Sequence, residues 1–179
     1  VMAPPVHQSI ALRQTATSEP LPVNFQVTQD IENVYIRLSW LDASENKTHS
    51  FEKFADSAAI QFAFKGKEST SFMMGSPDAP VNIWYWNGAK AQAQNLAAGG
   101  FGTLSPTSNQ DVNANARYNN GQWSVVFSRA KSITGDYQVD LTQGSFDLIF
   151  AVWQGESKQR DGLKATSASW ISLSLAPKK

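Results

Sequence analysis

The chain has 179 residues, 41% of them hydrophobic and 17% charged, with 15 basic and 15 acidic side chains. That composition favours one globular domain with a sizeable core. It excludes the basic excess of a nucleic-acid surface and the ~20-residue apolar run of a membrane-spanning helix. With no cysteine, disulfides, thiolate metal sites and cysteine-ligated iron–sulfur clusters are excluded as well.

Residues 1–22 hold four prolines and little periodicity, which predicts an extended N-terminal arm ahead of a single domain over 23–179. Period-2 patterns then begin. In "NVYIRLSWL", Val34, Ile36, Leu38 and Trp40 face one way, as in a half-buried strand. "AAIQFAF" repeats the pattern, and "VNIWYW" sets Val81, Ile83 and Tyr85 opposite Asn82, Trp84 and Trp86. "GAKAQAQNLAAGG" is alanine-rich and closes on two glycines, which predicts the one helix of the chain. The Gly-, Ser- and Asn-rich stretch from Gly99 to Asn115 predicts a long loop. "ARYNNGQWSVVFSR" predicts a hairpin turning at Asn120-Gly121, a pair that tolerates positive φ. "YQVDL", "FDLIFAVW" and "ASWISLSL" predict three further strands, the last starting near Ala168. The sum is an all-β fold: an antiparallel β-sandwich with long loops and at most one or two short helices.

Few residues point to chemistry. There is no Gly-x-Ser-x-Gly elbow and no phosphate loop between a strand and a helix. The two histidines, His7 and His49, stand in polar contexts and read as surface residues. Two stretches stand out. In "STSFMMGSPDAPVNIWYWNG", Met73 and Met74 precede a turn and an aromatic strand. Neighbours in an extended segment point to opposite faces. The pair therefore reads either as packing, one in the core and one beneath a loop, or as one thioether ligand to a soft metal or haem iron. In "AVWQGESKQRDGLKATSASW", a polar loop carries Lys158, Arg160 and Lys164. It reads either as a solvated basic loop or as one lysine folded inward, since burial and metal coordination both favour the neutral amine.

The order of "ADSAAIQFAF", "SFMMGSPDAPVNIWYWNG", "NNGQWSVVFSRA" and "FDLIFAVWQGESKQRDGLKATSASWISLSL" resembles the haem-binding gamma subunits of the ethylbenzene dehydrogenase type. That family includes the gamma subunits of dimethylsulfide dehydrogenase and of selenate and chlorate reductase. The resemblance runs from about Asp56 to Leu175. It implies a β-sandwich with one non-covalent b-type haem, its iron held by a methionine and a lysine. Carried onto this chain, the methionine is Met74, at the Gly75 turn, with Met73 as the alternative. The lysine is Lys164, with Lys158 as the alternative. Trp84, Trp86 and Tyr85 are then candidates to wall the porphyrin, and Arg129 to meet a propionate. The absence of a Cys-x-x-Cys-His motif agrees with non-covalent binding.

The resemblance further implies an electron-transfer subunit that performs no catalysis itself. It would stand beside a molybdenum-containing catalytic subunit and an iron–sulfur subunit, in the periplasm, exchanging electrons with a soluble c-type cytochrome. An oxyanion reductase, for chlorate or selenate, is the expected complex. The competing expectation is a carbohydrate- or ligand-binding sandwich, with tryptophans as a sugar platform. Trp84, Trp86, Trp123, Trp153 and Trp170 lie in strand patterns, however, where core packing is the default.

Overall fold

The computed structural model describes residues 6–175 except 16 and 18. The described residues form twelve strands: β1 (Val6–Gln14), β2 (Leu21–Gln29), β3 (Asn33–Leu41), β4 (Ser57–Ala63), β5 (Val81–Asn87), β6 (Gln94–Ala98), β7 (Ser105–Pro106), β8 (Asn113–Asn119), β9 (Gln122–Ala130), β10 (Ser145–Trp153), β11 (Ala165–Thr166) and β12 (Ile171–Ser174). Neighbours pair antiparallel in the order β7-β6-β5-β4-β10-β11-β1-β2-β3-β9-β8, and β12 shares the edge of β10 with β11. Two layers result. β1-β2-β3-β9-β8 form the first sheet, β7-β6-β5-β4-β10-β12 the second, and β11 hooks them together by pairing with both β10 and β1.

The layers face each other across one core. Val34, Ile36 and Leu38 on β3 are fully buried, as their alternation predicts. They meet Ile60, Phe62, Leu148 and Phe150 of the second sheet in one cluster. Phe25 contacts Phe150 at 4.9 Å between ring centroids, and Trp86 contacts Trp123 at 4.9 Å. β8 and β9 are joined at Asn120 and Gly121, with φ of 48° and 76°. Two positive φ values give the turn twist that matches twisted antiparallel strands.

Four expectations change. The alanine-rich stretch is no helix. Residues Gln94–Ala98 form β6, where pairing with β5 and the buried bond from Asn82 Nδ2 to Asn95 Oδ1 (2.7 Å) override alanine's helix propensity. "YQVDL" is no strand. Gln138 and Val139 are buried, but the segment bonds to Lys131 and Arg129 instead of joining a ladder. The final strand starts at Ile171. The stretch from Gly99 to Asn115 contains β7 and the start of β8, and Thr107 N donates to Asn95 O at 2.9 Å, so it is tied to the sheet.

The segment read as an N-terminal arm also carries β1. It pairs with β2 on one side and β11 on the other, and it buries Leu12 completely. Removing the residues before Leu21 therefore exposes the β2 edge and empties a core position. Burial of one leucine contributes ~1.5–3 kcal/mol. The truncated chain is expected to lose more than about 3 kcal/mol, once the strand pairing is added. Thermal unfolding followed by circular dichroism checks this, and an unchanged Tm would show β1 to be dispensable.

Candidate functional site

In a two-layer sandwich the outer face of each sheet normally meets water, giving alternation along the strands. The first sheet behaves so: β2 and β9 alternate buried and half-exposed positions. The second does not. Every residue of β4 is buried, and β5 is buried over Val81–Trp84. Its outer face carries a second apolar cluster of Ala59, Val81, Ile83, Leu96, Ala98 and Ala151. Strand register places Tyr85, Ala59 and Ala151 in one row across β5, β4 and β10. Two alanines side by side keep the middle of this floor low and flat. Tyr85 closes one side, with Trp153 edge-on to it at 5.8 Å. The Tyr85 hydroxyl is fixed by a bond to Ser57 Oγ (3.2 Å) and one from Asn87 Nδ2 (3.0 Å).

Two loops overhang this floor. The first joins β4 to β5 and is anchored where Gln61 Nε2 donates to Phe72 O (2.9 Å) and Trp170 Nε1 to Thr70 O (3.1 Å). Its chain then reverses through two consecutive left-handed residues, Met74 (φ 70°) and Gly75 (φ 71°). Only glycine fits the second position, since a Cβ there would lie 2.8 Å from Ala79 O. At the first, a methionine holds a conformation uncommon outside glycine, fixed by Gly100 N donating to Met74 O (2.8 Å). The reversal lays Met74, half-buried, on the apolar floor, while Met73 stays 51% exposed.

The second loop joins β10 to β11 and ends at Lys164. Its backbone is pinned by Trp153 Nε1 donating to Asp161 O (3.1 Å), by Thr15 N donating to Lys164 O (3.0 Å), and by Thr15 Oγ1 donating to Gly162 O (3.1 Å). The end of β1 thus positions the lysine. The half-buried Lys164 side chain brings Nζ 5.0 Å from the centroid of the Trp153 ring. That amine has no hydrogen-bond acceptor and no ion-pair partner among the described residues. Burial lowers its pKa below 10.5, with Asp161 opposing. Lys158 is exposed, and Arg160 stacks on Phe54 at 5.1 Å.

Met74 packs on this apolar face with Trp153 and Trp170, and Lys164 reaches the same face over the Trp153 ring. Trp84, Trp86 and Arg129 do not join them on this outer face; the structure places all three on the inner side, in the core between the sheets. Period-2 alternation turns Trp84 and Trp86 into the core between the sheets, where they are 0% and 6% exposed. Arg129 lies 5.1 Å from the Trp84 ring on the same inner side, so it reaches no group on the outer face. Tyr85, of the aromatic strand, is the one that faces outward. The sequence reads Trp153 and Trp170 as strand residues packed in the core and does not mark the alanine floor. The available signal is the near-continuous apolar character of "LIFAVW" and, apart from Ser57 and Gln61, of "SAAIQFA", which marks strands covered on both faces.

The donor set, a thioether and an amine without competing partners, suits a borderline-soft metal. The flat apolar floor suits the plane of a porphyrin. Among the described residues no group of three His, Asp or Glu side chains offers an alternative metal site.

Comparison with known proteins gives the family of the chain. The family model described as Ethylbenzene dehydrogenase matches residues 101–165, a span that includes Lys164. The chain is 38% identical over 184 residues to the dimethylsulfide dehydrogenase subunit gamma of Rhodovulum sulfidophilum, covering 99% of this chain and 69% of that protein. It is 36% identical to the chlorate reductase subunit gamma of Ideonella dechloratans, covering 92% of this chain and 68% of that one. A Haloferax mediterranei protein described as a respiratory nitrate reductase haem subunit is 32% identical, over 82% of this chain and 53% of its own length. Among solved structures, a protein of Bacteroides uniformis described as carbohydrate-binding superposes with a TM-score of 0.53, over 94% of this chain and 78% of its own. At 9% identity that likeness speaks for the fold alone.

Proposed function

Because the chain belongs to the gamma-subunit family of the ethylbenzene dehydrogenase type, with those of dimethylsulfide dehydrogenase and chlorate reductase, we propose that it holds one non-covalent b-type haem between Met74 and Lys164. It is a non-catalytic, haem-carrying electron-transfer subunit of an oxidoreductase complex. The observation that carries the finer reading is one apolar face that holds a half-buried methionine and is reached, over Trp153, by a half-buried lysine whose amine has no hydrogen-bond or ion-pair partner among the described residues.

Bound there, the haem would supply reversible one-electron chemistry at its iron. The residues of this chain set the terms. Met74 and Lys164 would be the residues that hold the iron, and two protein donors would keep substrate and oxygen from it. As an iron ligand the Met74 thioether would favour the ferrous state and raise the potential. Ala59, Ala151, Ile83 and Val81 exclude water from one face. Tyr85 and Trp153, edge-on to each other at 5.8 Å, would bound the group on one side. Electrons would pass between the iron–sulfur subunit of a periplasmic molybdoenzyme and a soluble c-type cytochrome. Reductase and dehydrogenase complexes both occur among the relatives' names, so a chlorate reductase or a related dehydrogenase is the proposed setting.

Titration of the full chain with haemin, followed by visible spectra of the oxidised and dithionite-reduced forms, tests this. A shifted Soret band with sharp reduced α and β bands is expected. A chain that binds no haem and does bind glycans would overturn the reading in favour of a carbohydrate-binding module.

The same titration has an expected pH dependence. Only the neutral amine ligates, so below its pKa Lys164 must release a proton on binding. Affinity is therefore expected to rise about tenfold per pH unit and then level off. Because burial lowers the Lys164 pKa, the plateau begins below 10.5, the ordinary lysine value. Lys164→Met, with a ligand that does not titrate, is expected to abolish the slope.

A further inference from the structure

Arg129 is buried to 1% exposure, in the core between the sheets. Its polar partners are all neutral. Nε donates to Ala130 O (3.0 Å), Nη1 to Asn82 Oδ1 (3.4 Å) and Gln138 Oε1 (3.5 Å), and Nη2 to Val139 O. No carboxylate lies within ion-pair distance of it among the described residues. Asp140 attracts it at longer range, but that side chain is exposed and accepts hydrogen bonds from Thr142 N and Oγ1. Burial lowers the guanidinium pKa to about 10, so it remains cationic at neutral pH. Placing an unpaired charge in a core is costly, and an apolar residue there is often neutral or stabilising. Core packing alone therefore gives no reason for an arginine.

Its surroundings suggest one. The guanidinium is held against β5 by Asn82 and by the Trp84 ring, 5.1 Å from its centroid. Both residues are on the inner side of that strand. Their neighbours Val81, Ile83 and Tyr85 form the outer floor beneath Met74. One sheet separates the charge from the candidate haem face. We propose that Arg129 acts as a fixed positive charge that raises the reduction potential of a haem bound by Met74 and Lys164, through β5.

This inference rests on the haem reading above. Uptake of one electron lowers the positive charge of the site by one, and a nearby fixed cation favours that state. No proton moves at Arg129. Such a charge is screened little by salt, because it is buried. At a separation of about 10 Å, the thickness of one packed layer, and an effective dielectric near 20, the effect is roughly tenfold in the redox equilibrium. For one electron that is about 59 mV.

The experiment is a spectroelectrochemical titration of the haem-reconstituted full chain as wild type, Arg129→Met and Arg129→Lys. The Met variant is expected to show a midpoint lower by about 59 mV, with band positions unchanged. The Lys variant, which keeps the charge, is expected to stay near wild type. Equal potentials in all three proteins would overturn the proposal. An equal fall in Met and Lys variants would also overturn it, since that would report lost packing and not lost charge. Arg129→Gln keeps amide donors for the same acceptors and carries the test if the Met variant does not fold. A wild type that binds no haem overturns the haem reading and this inference together. Binding without a charge-dependent shift overturns this inference alone.

Discussion

Lys164→Ala and Met74→Ala each abolish the six-coordinate haem spectrum, and Met73→Ala leaves it intact: this is the expected result of the first substitution series. The reason is positional. Lys164 and Met74 share the apolar outer face of the second sheet, whereas Met73 is 51% exposed on the far side of the reversal. Loss of an outer-shell partner typically costs metal affinity ~10–100-fold, and loss of an axial ligand is expected to cost at least that. Neither substitution should unfold the chain, because both side chains are only half-buried and neither contributes a hydrogen bond to the sheets. Haemin titration with reduced and oxidised spectra reads the outcome. If Met73→Ala alone perturbs the bands, the assignment moves to Met73. If Lys158→Ala replaces Lys164→Ala in effect, the loop must rearrange on binding.

Gly155→Ala is expected to cost the most stability of any single methyl addition at the glycines. A Cβ at this residue would lie 1.9 Å from Phe54 O and 2.9 Å from Asn46 Cβ, and the first is a backbone atom that cannot swing away. Gly155 N also donates to the buried carboxylate of Asp56 (2.8 Å), which accepts from Asn46 N (2.7 Å) and Trp123 Nε1 (2.9 Å). The close approach is therefore built into a junction of three segments. Overpacking in a core usually costs about 1–3 kcal/mol, and a clash with main chain belongs above that range. For a domain of this size, each kcal/mol lowers Tm by roughly 2–4 °C, so a fall of roughly 6–12 °C or more is expected. Gly155 opens the loop that ends at Lys164, so haem affinity should fall with it. At Gly162, in the same loop, an added Cβ would meet no atom within 4 Å, and φ is not positive. Gly162→Ala should leave both Tm and haem binding unchanged. Equal Tm values for the two variants would show that the junction relaxes at little cost.

The amino-acid pattern alone carries much of this molecule. Alternation in "NVYIRLSWL" and the Asn120-Gly121 pair are local signals, and β3 and the β8–β9 hairpin follow them. The lack of cysteine narrows the donors to oxygen, nitrogen and thioether groups, and the paired methionines and lysine-bearing loop then draw attention. Other features depend on residues far apart in the chain. Alternation states that Trp84 and Trp86 share a face of β5, but not which face meets the first sheet. Contacts such as Trp86 with Trp123 decide that, and they leave Tyr85 for the outer face. Alanine-rich "QNLAA" prefers a helix in isolation, yet pairing with Val81–Tyr85 makes it β6. Residues 6–14 lack a strong pattern, yet lie between β2 and β11 in the sheet. The choice between Met73 and Met74 is of the same kind. Two adjacent side chains differ only in the direction the backbone gives them, and φ of 70° and 71° at Met74 and Gly75 are imposed by bonds to Gly100 and Ser71. Period and composition set which strands are available and which donors exist. Only the packing of distant strands decides which side of a strand becomes core, and so which face is left outside for the proposed cofactor.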